Sequence, residues 1–509
     1  MSFWAVGLLS KVVPVRPLNR VRFATLLFPP LGLVLLWRLR EIGFGRKLLG
    51  TAGILLFSIL YLAGIVALLM LWGGLEIEWR GGFPPVLTFR KTKPDYAAVE
   101  AHRARQSSAA LEPATVSVVV STNYWTDFRG PHRDGRYDER PILTHWPADG
   151  LRRIWRQPIG GGYASFVVAD GRAFTIEQRR EREAVTAYEL RTGRELWAHS
   201  YPAAFSESMG GDGPRATPTW HDGRIYSLGA EGEFCCLQAG TGQLLWRKNI
   251  LGEARARNLH FALSSSPLVV SENVVVLSGD PDGGAGRTVL AYNRVTGAAA
   301  WSALNERMAY ASPMFVTLAE ERQILVVTAG RAVGLTPDTG KLLWEFPWRV
   351  ANDNAIAQPV LTGTNRFLLS AGYGTGCALV EISREGNGFT ARQIWKNANL
   401  KNKFNSSVYD EGYIYGLDEG ILTCLDAATG ARRWKDGRYG YGQLLLASGH
   451  LVILGGEGEL ILVRATPEKL IEASRFQAIG GKTWNHPVIS NGLLLVRNAV
   501  EMACFDISP

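Results

Sequence analysis

The residues able to do chemistry in this 509-residue chain are few, and none falls into a strong catalytic pattern. Cys235 and Cys236 are adjacent, while Cys377, Cys424 and Cys504 stand apart, with no metal-ligand spacing and no disulfide partner that spacing can name. His260, His450 and His486 are too scattered to read as one metal site. Asp212, in MGGDGPRATP, and Asp353, in ANDNAIAQP, sit among turn-forming residues that explain them structurally. No Walker loop, His-Glu-x-x-His or Gly-x-Ser-x-Gly occurs. GGGYAS (160–165) and GYGTG (372–376) are glycine-rich, but neither joins a strand to a helix as a phosphate cradle does, so both read as turns.

A second group suits binding better than catalysis. The segments GPRATP (213–218), NLHFALSSSP (258–267), KNKFNSS (401–407), GRYGYGQ (437–443) and GKTWNHP (481–487) each precede a short apolar run. Together they carry Arg215, Lys403, Asn405, Tyr439, Tyr441, Gln443, Trp484, Asn485 and His486. Cations, amides and aromatic rings on converging strands would line a concave ligand site. Hydrogen bonding between neighbouring repeats is the competing use of the same residues.

The elements that must position these residues are legible as repeats. AYELRTGRELW (187–197), CLQAGTGQLLW (236–246), AYNRVTGAAAW (291–301), GLTPDTGKLLW (334–344) and CLDAATGARRW (424–434) share an apolar position, a Thr-Gly turn and a Trp four residues later. Degenerate copies end at Trp395, Phe476 and the C-terminus. The apolar column Tyr188, Leu237, Tyr292, Leu335, Val380, Leu425, Val463 and Phe505 gives eight copies at the spacing of four-stranded propeller blades. The reading is all-β, an eight-bladed β-propeller over 151–509 with Trp155, Trp197, Trp246, Trp301, Trp344, Trp395 and Trp434 docking blade to blade. The last copy stops after its third strand, so LRRIW (151–155) is expected to close the ring beside 502–506.

These copies resemble the docking motif of the pyrroloquinoline-quinone-like repeat family, whose members include quinoprotein alcohol dehydrogenases. WTDFRGPHRDG (125–135) resembles the start of exported, uncharacterised members. The resemblance to the dehydrogenases implies pyrroloquinoline quinone beside calcium in a central funnel, with Asp212 and Asp353 the nearest stand-ins for catalytic carboxylates and Cys235-Cys236 for a vicinal disulfide. Their calcium loop has no counterpart here, and Cys236 shares a repeat column with Cys424 and Cys504, so no cofactor is expected. The chain also resembles the cofactor-free propeller subunits of outer-membrane β-barrel assembly machinery, which implies a protein partner. Those subunits are lipoproteins, and no cysteine precedes Cys235 here, so the expectation is the broader class of binding or assembly propellers.

The formal charge of +9 does not point to nucleic acid, because residues 1–80 hold nine Lys/Arg against three Glu and the rest is nearly balanced. Residues 48–75 carry no charge and are long enough to cross a bilayer. Arg38, Arg40, Arg46 and Lys47 precede them and Glu76 and Glu78 follow, which places residues 1–47 on the cytoplasmic side and the propeller outside the inner membrane, in the periplasm or cell exterior. The absence of a small-residue cleavage site predicts a retained anchor. Residues 23–37 are too short and carry Pro29-Pro30, so an interfacial or re-entrant segment is expected rather than a second span, with a two-helix hairpin as the alternative. Residues 76–150 read as linker and propeller lead-in, with a short exposed helix near 96–111 that lies outside the repeats.

Overall fold

In the computed structural model the described residues are 17–72, 74–78, 85–88, 93–108, 122–280 and 287–509. The chain forms two units, Met1–Glu78 with Val86–Lys91 and Trp79–Pro85 with Thr92–Pro509.

Proline divides the apolar sequence of the first unit. Helix Pro17–Leu27 ends at Phe28, whose extended backbone leads into helix Pro29–Arg38 with Pro at its first positions. At 1.5 Å per residue, this second helix rises about 15 Å, half a bilayer core of about 30 Å. Helix Phe44–Trp72, of 29 residues, is long and apolar enough to cross a membrane. It starts earlier than the uncharged stretch, taking in Arg46 and Lys47, and stops three residues short of Leu75. Trp37 Nε1 donates to Thr51 Oγ1 at 3.0 Å, and Val21, Leu36 and Ile54 form a small core among the three helices.

The second unit is a ring of eight blades, each built on a four-stranded antiparallel sheet, and in the first seven the four strands follow sequence order outward from the axis. The first strands of neighbouring blades touch one another, so they are innermost. Blade 8 is completed by Arg153–Pro158, which pairs with Glu501–Asp506 in a register that sets Trp155 opposite Cys504. The closing strand thus extends three residues beyond 151–155. Its pairing removes the free edge that the C-terminal third strand would otherwise present.

The Thr-Gly…Trp repeat has a common geometry. In every blade a register shift follows the third-strand residue that sits across from the docking position, such as Ala187, Cys236, Ala291 or Cys424. Bulges of this kind strengthen the local twist. The indole Nε1 of Trp155, Trp197, Trp246, Trp301, Trp395 and Trp434 then donates to a turn carbonyl of the next blade, at 2.9–3.3 Å. The turn glycine has two tasks. Gly340 has φ +68, and a Cβ there would lie 2.5 Å from the Trp301 ring. Trp344 differs from the expected pattern. Blade 5 replaces the Thr-Gly turn by the long hairpin Gly376–Glu385/Gly388–Asn397, and Trp344 Nε1 donates to Gln323 Oε1 of its own blade.

The helix Tyr96–Ser108 forms where a short exposed helix is expected and keeps most of its described residues exposed, but it is docked on the propeller. Val99 and Arg103 are buried where blade 8 meets blade 1. Arg103 donates to Gln157 Oε1 (3.1 Å), the Pro158 carbonyl (3.0 Å) and Tyr188 Oη (3.3 Å), and pairs with Glu195 at 3.3 Å. The closing strand is therefore clamped from outside by a segment that precedes the repeats.

Candidate binding funnel

The lead-in segment, 122–137, crosses the ring axis and closes one end of the central channel. Arg133 and Arg129 carry this arrangement, both buried and both in the left-handed backbone region. Arg133 pairs with Asp127 at 2.7 Å and donates to the carbonyls of Ser266 (3.1 Å), Pro313 (2.7 Å) and Pro267, at the inner strands of blades 3 and 4. Arg129 donates to the Ser407 carbonyl of blade 6 at 2.8 Å and to His486 Nε2 of blade 8 at 3.2 Å. Backbone bonds join Trp125 to Val168 and Thr126 to Trp220, and Arg136–Tyr137 runs parallel to Gln443–Ala447 of blade 7. Burial and the adjacent Arg129 push His486 down to about 3, so it is neutral at pH 7. Its Nδ1–H donates to the Pro487 carbonyl at 2.7 Å, leaving Nε2 as the acceptor for Arg129. Burial lowers Arg129 to about 10, which still leaves it charged.

Above this floor lies a cavity of about 750 Å³. Phe128 and His486 form part of its base. Hydrogen bonds between blades belt the wall: Ser266 N donates to Ser312 Oγ, Ser312 N to Gln358 Oε1, and Gln358 N to Ser406 Oγ. On one side stands the short hairpin Ser206–Glu207/Gly211–Asp212, whose turn residues Met209 and Gly210 line the mouth. Arg215 is held against it by Glu207 at 3.0 Å and stacks over Phe205 and Tyr163. Burial lowers the guanidinium's affinity for its proton but leaves the charge in place.

Of the nine expected binding residues, Arg215, Lys403, Gln443, Trp484 and His486 line the cavity. Tyr441 supports it from behind, its Oη accepting from Lys403 Nζ at 3.0 Å. Three do not reach it. Asn405 is buried against Asn402, Tyr439 donates to Glu472, and Asn485 donates to the carbonyls of Gly162 and Ala164. For these the competing use, stitching blades and loops together, is what the structure shows. Sequence reading missed Tyr163, Tyr310, Tyr373, Phe404 and the hairpin. The first lay in GGGYAS, read as a turn, and the hairpin in the glycine run around Met209.

The weak catalytic candidates adjoin the cavity without lining it, Asp353 between the lining residues Asn352 and Asn354 and Asp212 on the hairpin at the mouth. Asp212 accepts from Tyr96 Oη (2.8 Å) and Ser206 Oγ (2.7 Å), and Asp353 is paired with Arg307. Cys235 and Cys236 are free thiols buried in cores on opposite faces of blade 2, and burial raises both to about 12. Cys236, Cys424 and Cys504 each stand directly opposite a docking Trp, where a small apolar side chain fits.

Ring, closing strand and docking turns define a pyrroloquinoline-quinone-like repeat propeller. The chain belongs to the family described as outer membrane protein assembly factor BamB, which matches residues 181–436. It is 24% identical over 317 residues to that factor from Bordetella pertussis, covering 59% of this chain and 72% of the relative. The Burkholderia pseudomallei factor is 22% identical, covering 60% and 74%. Among solved structures, quinohemoprotein alcohol dehydrogenase from Comamonas testosteroni aligns with a TM-score of 0.57 at 14% identity, covering 79% of this chain and 84% of that one. BamB from Moraxella catarrhalis aligns at 0.50 and 15%, covering 70% and 99%. At such identities the structural likenesses establish the fold alone.

Proposed function

We propose that this protein is a propeller tethered to the inner membrane by Phe44–Trp72, facing the periplasm or cell exterior, and acting there as a binding or assembly module for a protein partner. The observation that carries this reading is the funnel itself, blind at one end and walled by aromatic rings, amides and cations. The assembly-factor relatives support the same class of function, and the charge asymmetry around the apolar helix supports the orientation.

The alternative is a quinone-dependent dehydrogenase oxidising an alcohol or sugar, and the donor set does not fit it. Calcium takes six to eight oxygens, commonly with several carboxylates. Glu207 is the one carboxylate among the described lining residues, and it is committed to Arg215 and to the backbone N–H groups of Met209 and Gly210. Among the described residues no cluster of His, Cys, Asp or Glu could hold a metal ion. The test is to incubate the purified protein with pyrroloquinoline quinone and calcium, then follow cofactor retention and alcohol-dependent dye reduction. Neither is expected. Stoichiometric retention with turnover would establish the enzyme reading, with Asp212 and Asp353 the first positions to substitute.

A further inference from the structure

Three cations stand around the funnel wall, and aromatic rings separate them. Arg215, between blades 1 and 2, lies 5.6 Å from the Tyr163 ring, and Tyr163 stacks on Trp484 at 5.2 Å. Lys482, between blades 7 and 8, caps that stack, 4.7 Å from the Trp484 ring, and donates to the carbonyls of Met209 and Gly210 at the mouth. Phe404 continues the arc from Trp484 to Tyr441. Lys403, between blades 5 and 6 and only 9% exposed, lies 4.6 Å from the Tyr441 ring.

Resting on the binding-module reading, we propose that this arc receives an extended acidic peptide segment of the partner protein, its carboxylates on the cations and its apolar side chains on the rings between them. A compact anion would occupy one cation and leave the others unused. The cations sit on loops of different blades with rings between them, so a chain with alternating acidic and apolar residues follows the order in which they occur. Lys403 is buried and Arg215 and Lys482 are half-buried, and attraction for a carboxylate is stronger there than at a fully open surface. Because the lead-in closes the floor, the segment enters from the mouth and ends in the funnel.

The test uses the full chain in detergent and fluorescein-labelled Asp-Phe-Asp-Leu-Asp-Phe, followed by anisotropy, beside the same peptide with Asn for Asp. Saturable binding is expected for the acidic peptide, weaker by about tenfold or more for the Asn peptide and at high salt. Lys403→Met and Lys482→Met should each weaken it about fivefold or more, as loss of a charge-assisted contact does, with thermal unfolding unchanged. Arg433→Ala, on the exposed outer strand of blade 6, should leave binding intact. Equal binding of the two peptides, or lysine variants without effect, would overturn the proposal. So would tight, saturable binding of benzene-1,3,5-tricarboxylate where the peptide fails, since that marks a small-molecule site. A photo-crosslinker at Met209, on the mouth, is compared with one at Leu245, on an outer strand, in native membranes. A partner captured at Leu245 alone, with no peptide binding, removes the acidic-segment proposal and leaves the binding module standing. No partner at either position and no peptide binding removes both.

Discussion

At the scale of single residues, the docking turns and the axial floor make opposite demands on side chains. Gly340→Ala forces a Cβ into the left-handed region and 2.5 Å from the Trp301 ring, whereas Gly223→Ala, at φ +71, meets nothing within 4 Å. The first substitution is expected to cost about 2–5 kcal/mol, strain plus overpacking, and the second about 1–2 kcal/mol. Thermal unfolding of the two variants side by side checks this, and equal losses would show that the ring contact contributes nothing. His486 makes a demand on pH. Its folded value of about 3 lies below the ordinary histidine value of 6.5, so between those limits the unfolded chain binds a proton that the folded one excludes. Its contribution is complete above about pH 6.5 and falls as pH drops, by about 1.4 kcal/mol per unit. Replacing His486 by Gln keeps an acceptor for Arg129 and should flatten that part of the acid limb. A variant with the same slope as the parent would assign the limb to other groups.

Among the secondary-structure elements, the blades were readable and the clamp on their seam was not. Thr-Gly and Trp recur because two blades share one contact, so a local pattern reports a tertiary fact. Trp344 shows the limit: its partner turn belongs to blade 5, whose degenerate repeat hid the change in geometry. The helix Tyr96–Ser108 buries Arg103 among polar groups, and hydropathy gives no sign of a docking face built from a buried arginine flanked by a half-buried glutamine and histidine. Removing residues 1–120 therefore takes away part of the seam rather than a dispensable linker. Arg103→Ala should destabilise the propeller by about 3–5 kcal/mol, as breaking a buried pair does. A truncation that starts at residue 93 should melt above one that starts at residue 121. Identical melting points would return the helix to the status of linker.

For the whole molecule, membrane attachment and the ring make one topological expectation. An alkaline-phosphatase fusion placed after residue 150 should be active, and activity from a cytoplasm-only reporter at the same point would reverse the orientation. The ring was legible because a count of repeats is a count of blades. The floor of the funnel was not, since the lead-in arginines bind mostly backbone carbonyls, which any residue supplies, and the segment read as linker and propeller lead-in. That floor has a consequence for how such propellers can change. Arg129 and Arg133 reach carbonyls on blades 3, 4 and 6 and the His486 ring on blade 8 from fixed points in the lead-in. Guanidinium groups have a set length, so the lead-in acts as a gauge of the channel's radius. A duplicated blade would widen the channel and pull those carbonyls out of reach, and a lost one would crowd two buried cations together. A family member that keeps this lead-in is thereby held to a ring of eight, and one that gains or loses a blade must first abandon its floor.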